Sequence, residues 1–346
     1  MAPQEVKIGI IGAGANTRLK HIPGLQAIDG VEIVGLCNRS PESSQKVADQ
    51  FGIKKTYDHW QHVIDDPATD AIVVGTWPYM HCRCTLAALK AGKHILTEAR
   101  MAANATEARR MLHAAQRHPL LTAQIVPVVS GAEKTAQRMI ADGELGDILA
   151  VEYHADSGAF LDRESPLHWR QNFDLNGMNI RWLGTTYEVI LRCVGHATRV
   201  LAAGQTFVKS RLNADGQMAT VRVPEHLDVI ADMECGAQLH IQQSDISALM
   251  DGGGTYFFGS EATLRLNGDQ LHGGRRGDTQ LKPIKIPDNE KLTWRVEEEF
   301  INAIRGLEPV RYTPFDVGVK YMEFTEAVTR SIATGHAVHL PLTLND

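Results

Sequence analysis

The sequence predicts a doubly wound parallel α/β sheet followed by an α+β domain built on a large, mostly antiparallel open sheet. Three observations carry this. Over the first third, nearly unbroken apolar runs alternate with helical patterns, as strands buried on both faces require. Beyond Pro127 the apolar period falls to two and neighbouring runs are joined by short turns. At 346 residues the chain exceeds one ordinary core. The division is expected at 1–126 and 127–346.

Val6–Ile11 and Val31–Cys37 read as the first two strands, Pro41–Phe51 as the crossover helix that follows, and Ala71–Gly75, His94–Thr97 and Leu121–Val126 as further strands. Helical patterns fall at Cys82–Ala91 and Ala105–His118, with one more at Ala132–Asp142. The second domain is expected to use strands Ile148–Ala155, Asp228–Glu234, Ala237–Gln243, Thr255–Gly259 and Thr263–Leu266. A helix at Leu183–Val194 interrupts them, and helices at Thr293–Arg305 and Pro314–Thr334 close the chain. Ala214–Gln217 and Gly273–Gly277 read as mobile loops.

Composition narrows the function. A net charge of −6 argues against nucleic acid or an anionic membrane as partner. Five scattered cysteines form neither a disulfide framework nor a paired zinc spacing, so a reducing compartment and no metal are expected. No targeting segment and no membrane-spanning run is visible, which predicts a cytoplasmic protein.

Gly12-Ala13-Gly14 lies between the first strand and a helix running to about Ala27. Gly12 permits the tight turn, and Gly14 lets backbone approach a pyrophosphate at the positive helix end, with Ala15 and Asn16 opening that helix. This is a Rossmann dinucleotide site, although Thr17 stands at the third small position. The turn after the second strand, Asn38-Arg39-Ser40, has no carboxylate. Arg39 could pair with a 2′-phosphate and Ser40 donate to it, favouring NADP over NAD; alternatively Arg39 is solvated and Ser40 caps the helix ahead of Pro41.

Gly92-Lys93-His94 through Glu98-Ala99-Arg100, the turn Thr76-Trp77-Pro78-Tyr79-Met80-His81, His168-Trp169-Arg170 with Asn176-Gly177, and Phe258-Gly259-Ser260-Glu261-Ala262-Thr263-Leu264 are similar to the motifs of one family. The sequence resembles the Gfo/Idh/MocA family, named for glucose–fructose oxidoreductase, inositol dehydrogenase and rhizopine catabolism. The resemblance implies NAD(P) bound by the residues above together with Thr76, Trp77, His81, Glu98 and Arg100. It also implies a substrate domain whose open sheet commonly makes homodimers or homotetramers.

The departures bear on mechanism. The family's Glu-Lys-Pro reads Glu98-Ala99-Arg100 here, and its Asp and His, four residues apart on the central helix, align with Trp182 and Thr186. Neither Ala99, Trp182 nor Thr186 can accept a proton near neutral pH. His168, Tyr187 and His154 are therefore the expected acid/base candidates, with Asp156 ending the same strand as His154. Tyr79, Arg100, Arg170, Asn179, Arg181, Trp182 and Thr186 are expected to line a polar substrate pocket, with Arg100, Arg170 or Arg181 facing a carboxylate. The leading expectation is an NAD(P)-dependent oxidoreductase of a sugar, sugar acid, cyclitol or related alcohol or ketone. Alternatives are a transient-redox glycosidase or lyase without net cofactor turnover, and a non-catalytic cofactor or sugar sensor.

Overall fold

The computed structural model describes residues 4–250 and 253–343. Residues 1–3, where the N-terminus was read as lacking a targeting segment, lie outside that range. The described chain divides into two compact units: residues 4–127 with Arg295–Met322, and Val128–Trp294 with residues 323–343.

The first unit contains a five-stranded sheet of β1 (Val6–Ile11), β2 (Val31–Cys37), β3 (Ala71–Val74), β4 (His94–Thr97) and β5 (Ala123–Ile125). Its order is β2-β1-β3-β4-β5 and every pairing is parallel. Ile8, Ile10, Leu36, Ile72, Val74 and Leu96 are fully buried, which is why these strands read as continuous apolar runs. The chain reverses its direction of travel across the sheet between β1 and β3, so the crevice for a ligand opens beyond the carboxyl ends of these strands. The helices are α1 (Ile22–Gln26), α2 (Pro41–Phe51), α3 (Trp60–Asp65), α4 (Pro78–Lys90) and α5 (Ala105–Arg117). Helical structure begins at residue 15 and passes through a π-helical stretch, Thr17–His21, before α1. The wider turn faces His21 inward, where it is fully buried. Helix α2 opens on a capping box in which the Ser40 side chain accepts from Ser43 N, and it stops at Gly52 in the left-handed conformation.

The second unit adds β6 (Ile148–Asp156), β7 (Ala197–Gln205), β8 (Ser210–Leu212), β9 (Met218–Thr220), β10 (His226–Met233), β11 (Gln238–Ser244), β12 (Gly254–Gly259), β13 (Ala262–Asn267), β14 (Gln270–Arg275), β15 (Lys282–Pro283) and β16 (Val338–His339). Nine of them form one sheet ordered β15-β14-β13-β12-β6-β11-β10-β7-β16, while β8 and β9 make a separate hairpin. Within the large sheet β6 and β11 run parallel and the remaining pairs antiparallel. Gly273–Arg275, expected in a loop, belongs to β14: its glycines pair in register with β13 although they carry no apolar signal. Helices α6 (Glu133–Ala141), α7 (Phe173–Asn176) and α8 (Leu183–Val194) belong to this unit. Helix α8 is buried over most of its length, and Arg192 at its end bridges Glu133 and Glu188, which satisfies three charges removed from water.

Two helices follow, α9 (Val296–Ile304) and α10 (Phe315–Thr334). The sequence assigned everything after residue 126 to the second domain, but residues 295–322 pack with the first unit. The reason is local. Phe300 and Ile301 are fully buried, and Thr313 exchanges backbone hydrogen bonds with Ile125 of β5 at 2.9 and 3.1 Å. The Tyr321 hydroxyl, at 2.6 Å, accepts from Met101 N.

Candidate functional site

In the first unit the ends of β1, β2, β3 and β4 converge on the glycine turn. Gly12 has φ +83°, and a Cβ there would stand 2.6 Å from Thr76 Cγ2 and 2.9 Å from Thr76 N, so the position admits only glycine. Gly14 is different: it is exposed, and a Cβ would meet Gly75 O at 3.2 Å and otherwise open space. Its bareness is not needed for packing and leaves an approach to the backbone at the start of the helix, the cradle a pyrophosphate requires. Ala15 beside it is also exposed. The Asn38 Oδ1 accepts from Ala13 N at 2.6 Å while its Nδ2 donates to Ser43 O at 2.9 Å, so Asn38 ties the glycine turn to α2. Ser40 is occupied as the helix cap; that local role, rather than phosphate binding, accounts for its hydroxyl. Arg39 is exposed, with its guanidinium 5.9 Å from the centre of the Trp77 ring.

Beside the cradle lies a buried charge cluster that the sequence did not reveal. His21 Nε2 is 3.0 Å from Glu98 Oε1 and its Nδ1 is 2.5 Å from Glu297 Oε1. Asn16 Nδ2 donates to the same Glu98 oxygen at 2.5 Å. Burial alone would strip the proton from His21, but the hydrogen bonds it donates to Glu297 and Glu98 outweigh it and raise its pKa to about 9. Burial likewise opposes charge on Glu98, yet the hydrogen bond to His21 holds its pKa below the usual carboxylate value. Asn16 and Glu98, both expected at the cofactor, are thus braced by an imidazolium from their own unit.

Two other expectations for this unit are corrected. His81 is completely buried, with Nδ1 2.8 Å from Arg100 O and Nε2 3.0 Å from Thr76 O. Burial lowers its pKa, and it staples the loop after β3 to the loop after β4 instead of meeting a ligand. Arg100 is 2% exposed, and its burial removes it as an open carboxylate partner. Thr76 and Trp77 close the β3 turn, Trp77 standing at the cap of α4, and Tyr79 in its first turn is partly exposed.

The second unit contains a cavity of about 450 Å³, within the range of small-molecule sites. The end of β6 supplies His154 and Asp156, the start of α8 supplies Trp182 and Thr186, and Thr255 and Asn267 come from β12 and β13. The Thr186 hydroxyl accepts from Gln243 Nε2 at 3.3 Å. One carboxylate oxygen of Asp156, Oδ1, is buried with no hydrogen-bond partner among the described residues. His154 makes only long contacts, 3.5 Å to Glu152 and 3.5 Å to Gln242. The His154 ring, however, lies with Glu152, Gln242 and His240 on the sheet face opposite the one from which Gln243 meets Thr186, so the expected acid/base role of His154 has no geometric support, and Asp156 is left as the proton acceptor in the wall.

Several expected site residues are placed elsewhere. Tyr187 is fully buried and stacked on Phe324 with ring centres 3.6 Å apart. Its hydroxyl lies 2.6 Å from His196 Nδ1 and accepts from Ala197 N at 2.7 Å; burial pushes its pKa far up. It is a packing residue, because it lies on the face of α8 turned to the core. His168 caps the short turn Trp169–Gln171, where Nδ1 accepts from Arg170 N at 3.2 Å, and it is absent from the cavity lining. Asn179 is fully buried, donating to Asn176 O at 2.6 Å while Asn176 donates back at 2.5 Å. Arg181, held at φ +40°, is engaged by Asp245 at 2.8 Å and by the carbonyl of Ser244 at 2.8 Å. That strained backbone fixes the start of α8 and so aims Trp182. Arg170 lies with its guanidinium 4.2 Å from the Trp169 ring centre and 4.5 Å from that of Trp182.

Residues 6–124 match the family described as an oxidoreductase family with an NAD-binding Rossmann fold, and residues 134–265 match the C-terminal domain of the same family. A 1,5-anhydro-D-fructose reductase of Ensifer adhaerens is 33% identical over 149 residues, 42% of this chain and 44% of that one. A levoglucosan dehydrogenase of Pseudarthrobacter phenanthrenivorans is 30% identical over 186 residues, 51% and 46% of the two chains. The chain thus aligns with less than half the length of these curated relatives. The fold is shared along nearly the whole chain: a levoglucosan dehydrogenase solved with NADH and levoglucosan superimposes with TM-score 0.83 at 20% identity over 98% of this chain and 100% of that one. An aldose-aldose oxidoreductase from Caulobacter crescentus, solved with glycerol, gives 0.78 at 19% over 97% and 100%. With both domains matched and the glycine cradle in place, the chain belongs to the Gfo/Idh/MocA oxidoreductase family.

Proposed function

We propose that this protein is an NAD(P)-dependent oxidoreductase of a carbohydrate-like alcohol or its ketone. The observation that carries the reading is the second unit's pocket, whose wall includes Asp156, with one carboxylate oxygen buried and unpaired, together with Trp182 and Thr186. The relatives named above as a levoglucosan dehydrogenase and an anhydrofructose reductase act on sugars, which supports the substrate class. The residues of the first unit fit a dinucleotide: Gly14 leaves its backbone open, and a side chain at Gly12 could not be accommodated. Bound, the nicotinamide would accept or supply the hydride. The chain must supply a proton acceptor for the hydroxyl, in place of the family's missing Lys, Asp and His. Asp156 fills that role in this reading, through its unpaired Oδ1. Trp182 offers a flat face to a sugar ring, and the Thr186 hydroxyl a polar contact.

NADP is the favoured cofactor in this reading, because Arg39 is exposed, makes no ion pair among the described residues and stands in the turn just after β2, where the adenosine ribose would lie. A cytoplasmic homodimer or homotetramer completes it. Ile230 and Leu201, paired on adjacent strands of the large sheet, are each 46% exposed, an apolar strip suited to a second copy. Among the described residues no helix is long and apolar enough to cross a membrane. The test is a rate assay of purified protein with each cofactor against sugars, sugar acids and cyclitols. Net reduction or oxidation of the nicotinamide supports the reading; binding of both ligands without turnover refutes it.

A further inference from the structure

Five hydroxyl-bearing side chains line the cavity of the second unit, and among the described residues no arginine or lysine does. Arg181 is paired with Asp245, and Arg170, also absent from the wall, stands near that same carboxylate. Two of the five hydroxyls are spent: Ser130 donates to Gly268 O, and Thr185 donates to Trp182 O at 2.9 Å. The other three are not. Strand pairing sets Tyr153 beside Ile241 of β11 and opposite Thr255 of β12, on the sheet face that carries the core. Along that face Val151 and Phe257 are fully buried, and two residues further on the row turns polar where the cavity opens. The Tyr153 hydroxyl makes no hydrogen bond among the described residues and is not sealed in the core; the Thr255 hydroxyl is in the same state. Thr186 Oγ1 accepts from Gln243 Nε2 on the same face, so its own hydrogen is left to donate elsewhere.

A hydroxyl that faces a cavity and bonds nothing in the protein adds little to the fold; Phe at 153 and Val at 186 or 255 would fill the same volumes. The set fits a particular ligand chemistry. Its one acidic residue, Asp156, has a buried Oδ1 without a partner and can only accept, while Thr186 is left as a donor. A ligand hydroxyl serves both, since it donates and accepts. A ligand carboxylate would meet Asp156 with no cation in the wall to offset it. A ligand ammonium would suit Asp156 but leave the Thr186 donor unmatched, because an ammonium accepts nothing.

We propose that this cavity takes an uncharged polyol, and that Tyr153 and Thr186 are the specificity-determining residues that hydrogen-bond its hydroxyls. This deepens the reading of the preceding subsection and rests on it. The full chain is titrated calorimetrically, with and without NADPH, against D-glucose, D-galactose and myo-inositol. D-Glucuronate and D-galacturonate serve as acidic counterparts and D-glucosamine as the cationic one. At least one uncharged compound should bind, about tenfold or more tighter than its charged counterparts, with an affinity that salt hardly moves. Tyr153→Phe and Thr186→Val should each weaken that binding about three- to tenfold. Tyr153→Phe should also melt at the wild-type temperature, because its hydroxyl holds nothing in the fold. No binding of any uncharged compound, a charged one bound as tightly or tighter, or full affinity in both variants overturns the proposal. So does a lowered melting temperature in Tyr153→Phe, which would give the hydroxyl a partner inside the protein. Hydride transfer confined to the acids sinks this proposal and leaves the oxidoreductase reading standing. Tyr153-dependent polyol binding with no hydride transfer does the reverse.

Discussion

His21 and Glu297, 276 positions apart in sequence, meet at 2.5 Å inside the first unit, with Glu98 at 3.0 Å on the other ring nitrogen. The pair ties the helix after the glycine turn to α9, and it explains why residues 295–322 fold with the first unit. An imidazolium held between two carboxylates is stabilising only while it stays protonated. Its folded pKa of about 9 lies above the ordinary 6.5, so the contribution is fully present below about pH 6.5 and is lost as pH rises through 9. A shift of that size corresponds to about 3 kcal/mol. Thermal unfolding followed between about pH 6 and pH 10 should show the wild type losing stability over that window. His21→Gln should be less stable at neutral pH, by about 3 kcal/mol or more, and should lack that slope. Parallel curves for the two proteins would remove the imidazolium from the account.

Gly14→Val should abolish dinucleotide binding while the protein stays folded, because the added side chain meets little but Gly75 O. Gly12→Ala should instead destabilise the unit, since its Cβ runs into Thr76 and its φ is +83°. Calorimetric titration with NADPH, alongside a melting curve, separates the two effects. Unchanged affinity in folded Gly14→Val would show that the turn binds nothing.

Arg39→Ala should weaken NADP binding selectively, by roughly 1.5–3 kcal/mol if a charge-assisted bond is lost. NAD affinity should hardly move. Equal losses for both cofactors, or none, would leave Arg39 as a solvated side chain against Trp77.

Tyr187→Phe should leave kcat within a few-fold of wild type but lower stability by about 1–3 kcal/mol, since His196 Nδ1 and Ala197 N lose their partner. Ala99→Lys should not raise activity, because the family's accompanying Asp and His are replaced by Trp182 and Thr186. Steady-state kinetics and denaturant melts check both. A large fall in kcat for Tyr187→Phe would return that hydroxyl to the chemistry.

The parallel strands were legible because burial on both faces writes itself as an apolar run; Val6–Ile11 and Val31–Cys37 have the predicted ends. Strand β7 was not: Ala197–Gln205 carries Ala, Gly, Thr and Arg in place of an alternating pattern, and pairing with β10 supplies what its composition lacks. The glycine turn could be read because its requirement is local. Which way His154, His168 and Tyr187 turn could not, since that depends on which side of an element is covered and on caps such as His168 Nδ1. Glu297 carries no local sign of its role, being one of three acidic residues in the first turn of α9; only the fold brings it to His21.

The initial rate of nicotinamide absorbance change, for wild type and Asp156→Asn with the best substrate of the sugar, sugar-acid and cyclitol panel, tests the central claim most directly. The account predicts net cofactor turnover by the wild type and a fall in kcat of about 10²–10⁴-fold in Asp156→Asn, with cofactor affinity unchanged. Product formed without net absorbance change, or an Asp156→Asn variant as fast as wild type, would contradict it.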